Sequence, residues 1–441
     1  MKPLQLVTSL SLLLFSLNAG ADDLMSIYEQ AAKNDPQYRA AAADYRANQE
    51  ATAQGRAPLL PQVNLTARTG QTTTDYNTYE FDTSREGTSE DYDSTSYSLS
   101  LTQALYHHDY YVQLRQADAQ VARAEANFRN ARQELMTRVA QRYFAYLGAI
   151  DNLGFARAEQ KAIEQQLNQT EQRFNVGLTA ITDVHEARAR RDQAEAQTIS
   201  AENQLAVARE DLREITGMPH EQIAELDKNS PLLRPEPEDI DHWVKTALDH
   251  SLLLIAAEKS REIAEEEINR ARAGHYPTLD LVADHTHSDT DGGSFGARET
   301  EDTAISLQLN VPLYSGGLVA SRTREAAARH IQAKEQYIQQ RRAIEREIRS
   351  AYLSVIANIS QVKAFAQALE SSRTALEATE AGFEVGTRTA VDVLNSQREL
   401  YRAQRDYAQS RYNYILESFR LKQAAGILSE QDIKQVNAWL Q

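Results

Sequence analysis

The amino-acid sequence predicts a fold of long α-helices plus transmembrane β-strands, written twice along the chain. Three observations carry this expectation. One block of residues recurs at a fixed spacing, long proline-free stretches carry heptad stripes, and four short segments alternate apolar with polar residues.

The first residues read as a secretory signal. Lys2 gives a positive start, Leu10 to Leu17 is an apolar run broken by two serines, and Ala19-Gly20-Ala21 fits a small-residue cleavage site. The mature chain is then expected to begin at Asp22. The apolar run is too short to span ~30 Å of hydrocarbon. No later stretch reaches the ~18 apolar residues of a membrane helix, so any crossing must be made by strands. The 441 residues are 41% hydrophobic and 25% charged, with a mean hydropathy of −0.57. That balance suits long, exposed helices better than one large core. With 47 Lys and Arg against 63 Asp and Glu, the net charge of −16 supplies no basic footprint for nucleic acid. There is no cysteine, which excludes disulfides, thiolate metal sites and cysteine nucleophiles. Stability must come from packing or oligomerisation.

The repeat is clearest at Arg173-Phe-Asn-Val-Gly-Leu-Thr-Ala-Ile-Thr-Asp-Val184 and Gly382-Phe-Glu-Val-Gly-Thr-Arg-Thr-Ala-Val-Asp-Val393. Phe174, Gly177 and Asp183 map to Phe383, Gly386 and Asp392, each 209 positions on, and the same spacing takes Tyr143 to Tyr352, Ile150 to Ile359 and Gly217 to Gly426. Upstream, Leu99, Leu101, Leu105 and Tyr106 match Leu307, Leu309, Leu313 and Tyr314 at a spacing of 208. Pro61 pairs with Pro277 at 216, and Tyr28 and Asn34 with Trp243 and Asp249 at 215. The changed spacing between Pro61 and Leu99 places a longer loop in the first half. Pro219, Pro231, Pro235 and Pro237 interrupt any helix between Met218 and Glu238. The expected division is a signal peptide at 1–21, a first repeat at 22–218, a proline-rich connector at 219–238 and a second repeat at 239–441.

Each half reads helix, strand, strand, long helix, turn, helix. From about Asp109 to Phe174 the chain is expected to be one helix, roughly 100 Å long at ~1.5 Å per residue. Leu114, Ala117, Val121, Ala124, Phe128, Ala131 and Leu135 alternate steps of three and four, the seam of a coiled coil. Ile344, Ile348, Tyr352, Val355, Ile359 and Val362 form a similar stripe. An ordinary long coiled coil shares these stripes.

The strands separate a channel from a fibre. Val63, Leu65 and Ala67 interleave with Asn64, Thr66 and Arg68, and Tyr97, Leu99 and Leu101 alternate with Ser96, Ser98, Ser100 and Thr102. Leu279, Leu281 and Ala283 interleave with Asp280 and Asp284, and Ile305, Leu307, Leu309 and Val311 with Ala304, Ser306, Gln308 and Asn310. A transmembrane barrel has this alternation, with strands of ~9–11 residues. Tyr106 and Tyr314 are expected at equivalent strand ends, where an aromatic girdle lies. A soluble half-buried sheet also alternates. Export, polar opposite faces and the lack of any element to cover the apolar face favour the barrel. Four strands close no barrel around water, and eight leave room only for side chains. Three copies make twelve strands, with small polar residues lining a wet lumen, and closure removes the sheet edges that lipid cannot satisfy. The helices then continue the cylinder away from the membrane.

The strand-joining segments, about Gly70 to Asp93 and Ser288 to Asp302, are polar and acidic. Asp289-Thr-Asp-Gly-Gly293 faintly matches a calcium loop but lacks its twelfth-position Glu, so a solvated turn is expected. His107-His108 and His285/His287 are the histidine clusters, without enough placeable ligands for a metal. No phosphate loop, dinucleotide fingerprint or nucleophile elbow occurs. No cofactor and no catalysis are expected.

Across nearly the whole mature chain, the repeat, the Ala57-Pro58-Leu59-Leu60-Pro61 entry, Arg173-Phe-Asn-Val-Gly177, Ile181-Thr-Asp-Val184, Val385-Gly-Thr-Arg-Thr389 and Val391-Asp-Val393 resemble the outer-membrane efflux protein family. The resemblance implies a homotrimer in the outer membrane: a 12-stranded barrel among lipid, a helical barrel through the periplasm and a helical equatorial belt. It also implies a periplasmic adaptor (membrane fusion) protein and an inner-membrane pump of RND, ABC or MFS type. Drugs, toxins or secreted polypeptides would pass in tripartite efflux or type I secretion. The turns Val176-Gly177-Leu178 and Val385-Gly386-Thr387 would be the periplasmic tips that the adaptor touches. Thr182, Asp183 and Arg388 would join a network holding the tip closed, and Asp392 would place an acidic ring at the pore entrance. Phe383 stands where the family commonly has Tyr, so a phenol facing Asp183 is missing from this latch. Asn395 stands where a second Asp can occur, leaving one acidic ring in place of two. Competing readings are a structural or adhesive coiled-coil surface protein with no lumen, and a general diffusion porin that would leave the long helices without a purpose.

Overall fold

Two successive units with the same element order make up the chain. The first runs α1 (Leu24–Asn34), α2 (Pro36–Arg56), β1 (Gln62–Tyr76), β2 (Thr88–Tyr106), α3 (His108–Asn175) and α4 (Ile181–Thr216). The second runs α5 (Ile240–His250), α6 (Leu252–Ala273), β3 (Thr278–Thr290), β4 (Arg298–Asn310), α7 (Leu318–Glu384) and α8 (Ala390–Ala424), followed by α9 (Glu430–Asn437). This computed structural model describes residues 21–77, 87–228, 230–293 and 295–441. The expected signal sequence lies outside them except for Ala21.

The single opening helix expected in each half is two. The Asp35 side chain accepts from the Gln37 N–H and Pro36 occupies the first turn, so one helix stops and another starts there. Ser251, in an extended conformation, makes the same break between α5 and α6. The matching caps Asp23 and Asp239 set the halves 216 positions apart at their starts, in step with Pro61 and Pro277. The pairing of Tyr28 with Trp243 and Asn34 with Asp249 is therefore off by one. Ile27 matches Trp243, and Ala31 matches Ala247; all four are buried. Likeness of side-chain type misled there, and the phase of burial decides.

The helix expected from Asp109 to Phe174 spans 68 residues, and its counterpart α7 spans 67. Ala117, Ala124 and Leu135 of the first stripe are buried, while Leu114, Val121, Phe128 and Ala131 are half-buried. A second buried line, Val112, Ala119 and Ala126, exists because α3 is flanked on several sides. Tyr38 and Tyr45 of α2 stack on Phe128 at 5.5 and 5.3 Å. In α7, Ile344, Ile348, Val355, Ile359 and Val362 are buried and Tyr352 packs beside them.

The core lies midway along the long helices, where Tyr143, Phe144, Tyr146, Ile348, Val355, Ile415 and Phe419 meet α1, α5 and α9. The segment between α4 and α5 is strapped onto this core. Tyr143 donates to the Ala224 carbonyl at 2.6 Å, Tyr146 to His220 at 3.1 Å and Trp243 to Pro237 at 2.9 Å. Tyr414 donates to the Leu233 carbonyl and accepts from its N–H. Both ends of the described chain dock on the same segment, through bridges of Asp22 to Ile223 and Leu440 to Leu226.

The strands form one antiparallel sheet in the order β1-β2-β3-β4. Their 15, 19, 13 and 13 residues exceed the expected 9–11. The register continues unbroken from Gln62 opposite Thr102 to Tyr76 opposite Thr88. Most of the expected Gly70–Asp93 and Ser288–Asp302 loops is thus paired strand, the threonines of Gln71–Tyr76 being good strand formers. Tyr106 ends β2, but Tyr314 lies beyond β4, in the segment leading to α7.

Gly426 ends α8 at φ 74°, and a Cβ there would lie 2.3 Å from the His250 carbonyl oxygen. Gly177 has a similar φ of 76° with open space around it. Gly426→Ala is expected to cost about 3 kcal/mol or more, and Gly177→Ala only the ~1–2 kcal/mol of left-handed backbone. Apparent unfolding midpoints of detergent-solubilised protein check the order; an equal or smaller loss at Gly426 contradicts it.

Candidate pore: an apolar strand band and two helical tips

The register places apolar residues side by side on one face of the sheet. Val63 is opposite Leu101, Leu65 opposite Leu99 and Ala67 opposite Tyr97; Leu279 is opposite Leu309, Leu281 opposite Leu307 and Ala283 opposite Ile305. In a single chain this face is bare, with Leu65 73% and Ile305 76% exposed. The other face carries rows such as Thr66, Ser98, Thr286 and Asp302, with the Ser98 and Thr286 hydroxyls 3.1 Å apart. Among the described residues no helix is long and apolar enough to cross a membrane.

The band slopes across the strands. Its upper edge is Ala67 on β1 and Ile305 on β4, yet Ile305 shares a pairing row with Ala283, Leu101 and Val63. The step of four residues at ~3.4 Å falls between β2 and β3, and averaged over three strand spacings of ~4.8 Å it gives a mean slope of about 43°. Strands in closed barrels tilt by ~35–45°. A level apolar belt on tilted strands has this slope. His285 and His287 share one face, as expected, just beyond the band edge. His285 bonds Thr303 at 2.9 Å, with Glu301 at 3.7 Å, and His287 faces Glu299 at 3.8 Å. His107 meets Asp280 at 3.0 Å, and His108 lies edge-on to Tyr276. Among the described residues no three metal-ligating side chains converge. Asp289 and Thr290 end β3, and the Asp291 N–H donates to the Asp93 carbonyl.

At the far end, α3–α4 and α7–α8 form two hairpins with the same turn. The Gly177 N–H donates to the Phe174 carbonyl and the Leu178 N–H to Arg173, both at 2.9 Å. The Gly386 N–H donates to Phe383 at 3.2 Å and the Thr387 N–H to Gly382 at 2.8 Å. This paired closure of a helix end needs a left-handed residue, and Gly177 and Gly386 supply it at φ 76° and 78°. The turns expose Val176, Leu178 at 75% and Val385 at 76%.

The expected latch residues gather at these tips, but within one chain their partners are local. Asp183 accepts from the Thr179 hydroxyl. Asp392 accepts from the Thr389 N–H and hydroxyl, both at 2.9 Å, while Thr389 accepts from the Asp392 N–H at 3.2 Å. The Thr389 contacts hold the Asp392 carboxyl below the usual carboxylate range. Among the described residues Arg388 makes no ion pair, and Thr182 is exposed. Asp183 and Arg388 are thus not joined in a single chain. Phe383 meets Arg173, whose guanidinium carbon lies 4.3 Å from the ring centroid. Asn395, half-buried, is three positions after Asp392 in α8. Thr179, Thr389 and Arg173 were not expected at the site. The Thr-x-x-Asp pattern of a capping box was a sequence signal for Thr389.

Above the tips α3 and α8 are tied by Tyr412 donating to Asp151 at 2.6 Å and by Arg405 beside Glu159 at 3.3 Å. Burial pushes both carboxyls up despite these partners.

A family model described as outer membrane efflux protein matches residues 27–218 and 243–427. "Outer membrane protein TolC" of Vibrio cholerae is 39% identical over 442 residues, covering 100% of this chain and 98% of the relative. "Proteases secretion protein PrtF" of Dickeya chrysanthemi is 32% identical, covering 96% and 92%. Among solved structures, the Campylobacter jejuni CmeC outer membrane channel superimposes with a TM-score of 0.78 at 16% identity, covering 95% of this chain and 90% of that one. At that identity the likeness speaks for the fold.

Thr389→Ala removes the box at the start of α8 and is expected to cost about 1 kcal/mol locally. Hydrogen exchange at the Asp392 amide should speed up by roughly fivefold, with α4 unchanged; equal protection in both proteins contradicts the cap. Because the Asp392 pKa is lowered by folding, its stabilisation is present above the ordinary value of 3.8 and lost as pH falls through the lowered one. Protection at the Thr389 amide should therefore hold from pH 7 to 5 and fall only in stronger acid.

Proposed function

The chain belongs to the outer membrane efflux protein family, and from that premise we propose that three copies close a twelve-stranded barrel continued by a helical tube into the periplasm. The chain is an outer-membrane channel subunit, the exit duct for exported molecules. The observation that carries the reading is the bare apolar band, sloped as strands are in a closed barrel. The free edges of β1 and β4 require neighbours in lipid, where no water satisfies them. Three copies supply twelve strands and a lumen wide enough for water, lined by the serine, threonine and aspartate rows.

The chain works without chemistry of its own, and transport energy comes from an inner-membrane pump of RND, ABC or MFS type through a periplasmic adaptor. Protease-secretion relatives support polypeptide cargo in type I secretion, and the efflux in the family's description supports a second role, for which drugs and toxins are the proposed cargo. The two repeats, 22–218 and 239–441, each supply one pair of strands and one hairpin, with 219–238 joining them and 1–21 removed on export. Val176, Gly177, Leu178, Val385, Gly386 and Thr387 offer the adaptor two apolar knuckles. Arg388, which makes no ion pair among the described residues, reaches Thr182 and Asp183 of a neighbouring copy and latches the tips. Asp392 forms a single acidic ring at the mouth, with Asn395 neutral behind it. A carboxylate ring in a narrow mouth focuses negative potential and favours cations.

Planar-bilayer recording of the purified trimer tests the reading. Arg388→Ser should raise open probability roughly tenfold, as three exposed ion pairs of ~0.5 kcal/mol act together; unchanged conductance removes the latch. Asp392→Ala should lower cation preference, and a reversal potential equal to wild type dismisses the ring. Trimers that never conduct, Arg388→Ser included, would return the chain to a closed surface fibre.

A further inference from the structure

Phe383 cannot offer Asp183 a hydroxyl, yet its ring is engaged. The Arg173 guanidinium carbon stands 4.3 Å from the ring centroid, within the ~6 Å reach of a cation over an aromatic face. Arg173 lies in the last turn of α3 and Phe383 in the last turn of α7. The contact therefore joins the two hairpins of one subunit at their tips.

The repeat explains why this arginine is available. At the spacing of 209, Arg173 corresponds to Gly382 and Thr179 to Arg388. Each tip has one arginine, on opposite sides of its turn. In the second tip Arg388 folds back over Gly382, where a Cβ would lie 2.7 Å from the Arg388 Cγ. In the first tip Thr179 takes the place of that arginine and donates to Asp183. Arg173 is left on the helix end, where a cation is favoured by the helix dipole. Glu171, on the same turn, is engaged by Arg188 at 3.0 Å.

We propose that Arg173 is a further latch residue, a positioning group that clasps the α7–α8 tip to the α3–α4 tip through the face of Phe383. It rests on the duct reading above. The clasp acts within a subunit, while Arg388 acts between subunits. A swing of one hairpin by a few ångströms carries the ring out of reach and exposes both groups to water, so the contact belongs to the closed duct. Phe383, in place of a tyrosine, keeps the π face that the clasp needs.

Single-channel recording of trimers carrying Phe383→Leu, Arg173→Gln, the pair together, and Phe383→Trp tests this. Each of the first two should raise open probability about two- to fivefold for each of the three clasps, so roughly tenfold or more for the trimer, and the double variant should go no further than the larger single effect. Phe383→Trp, which retains a π face, should stay as closed as wild type. Open probability unchanged by Phe383→Leu, independent effects of the two residues, or Leu and Trp variants opening alike would each overturn the clasp while leaving the duct intact. A trimer silent in every variant, Arg388→Ser included, overturns the duct and the clasp with it.

Discussion

Backbone hydrogen bonding in lipid is the constraint on which the rest of this structure depends. β1 and β4 end the sheet with a row of unpaired N–H and C=O groups, and hydrocarbon offers them nothing. The apolar face forbids leaving the sheet in water, and the free edges forbid leaving it alone in a bilayer. Association edge to edge resolves both, and the slope of the apolar band already has the tilt that closure imposes. Once the strands stand in a ring, α2, α3, α6 and α7, which enter and leave them directly, have to stand in a ring as well. Their polar outer surfaces, unsuited to lipid, suit a tube with water inside and out.

Stability is distributed unevenly along that tube. Midway down, large aromatic side chains are fully buried, and four of them, Tyr143, Tyr146, Trp243 and Tyr414, bind the backbone between the repeats. The segment is continuous with the core although it has almost no regular structure of its own. At the tips the balance reverses. The turns close on their own carbonyls, Asp183 and Asp392 are satisfied by threonines three or four residues away, and the apolar side chains face water. A collar held by deep packing and tips held by small, local terms is a division that lets one end move while the other stays fixed.

Much of this was legible in the sequence because periodicity reports burial. The long helices, the strand faces and the twin glycine turns follow from spacing alone, and the register pairs Leu65 with Leu99 and Leu281 with Leu307 as the alternation requires. Strand length was not legible, since the threonines of Gln71–Tyr76 carry no apolar alternation once the strands leave the band. The phase of the opening helices is not legible from side-chain type, since Tyr28 resembles Trp243; the caps at Asp23 and Asp239 and the phase of burial fix the register. At the tips the sequence placed Asp183, Arg388 and Asp392 beside the glycine turns, but it did not reveal the contacts of Thr179, Thr389 and Arg173 there. Whether Asp183 meets Arg388 or Thr179 depends on rotamers and on neighbouring copies, and neither is written in a heptad.

The two tips show how a duplicated unit acquires two different duties. Both keep the glycine turn, the phenylalanine before it and the aspartate after it, so the fold of each is the same. They differ in where the single arginine sits. On the helix end, as Arg173, it faces along the hairpin toward the sister tip and finds Phe383. Past the turn, as Arg388, it folds back over Gly382 near the end of α7 and makes no ion pair among the described residues. In a closed ring each sister tip has the other repeat of its own subunit on one side and a neighbouring subunit on the other. One arginine position therefore suits an internal contact and the other an external one. Had both halves kept the same placement, every junction around the ring would be of one kind. On the proposed reading, moving one cation across a turn separates the contact that holds a subunit's own tips from the contact that holds neighbours, so the two are open to release by different events.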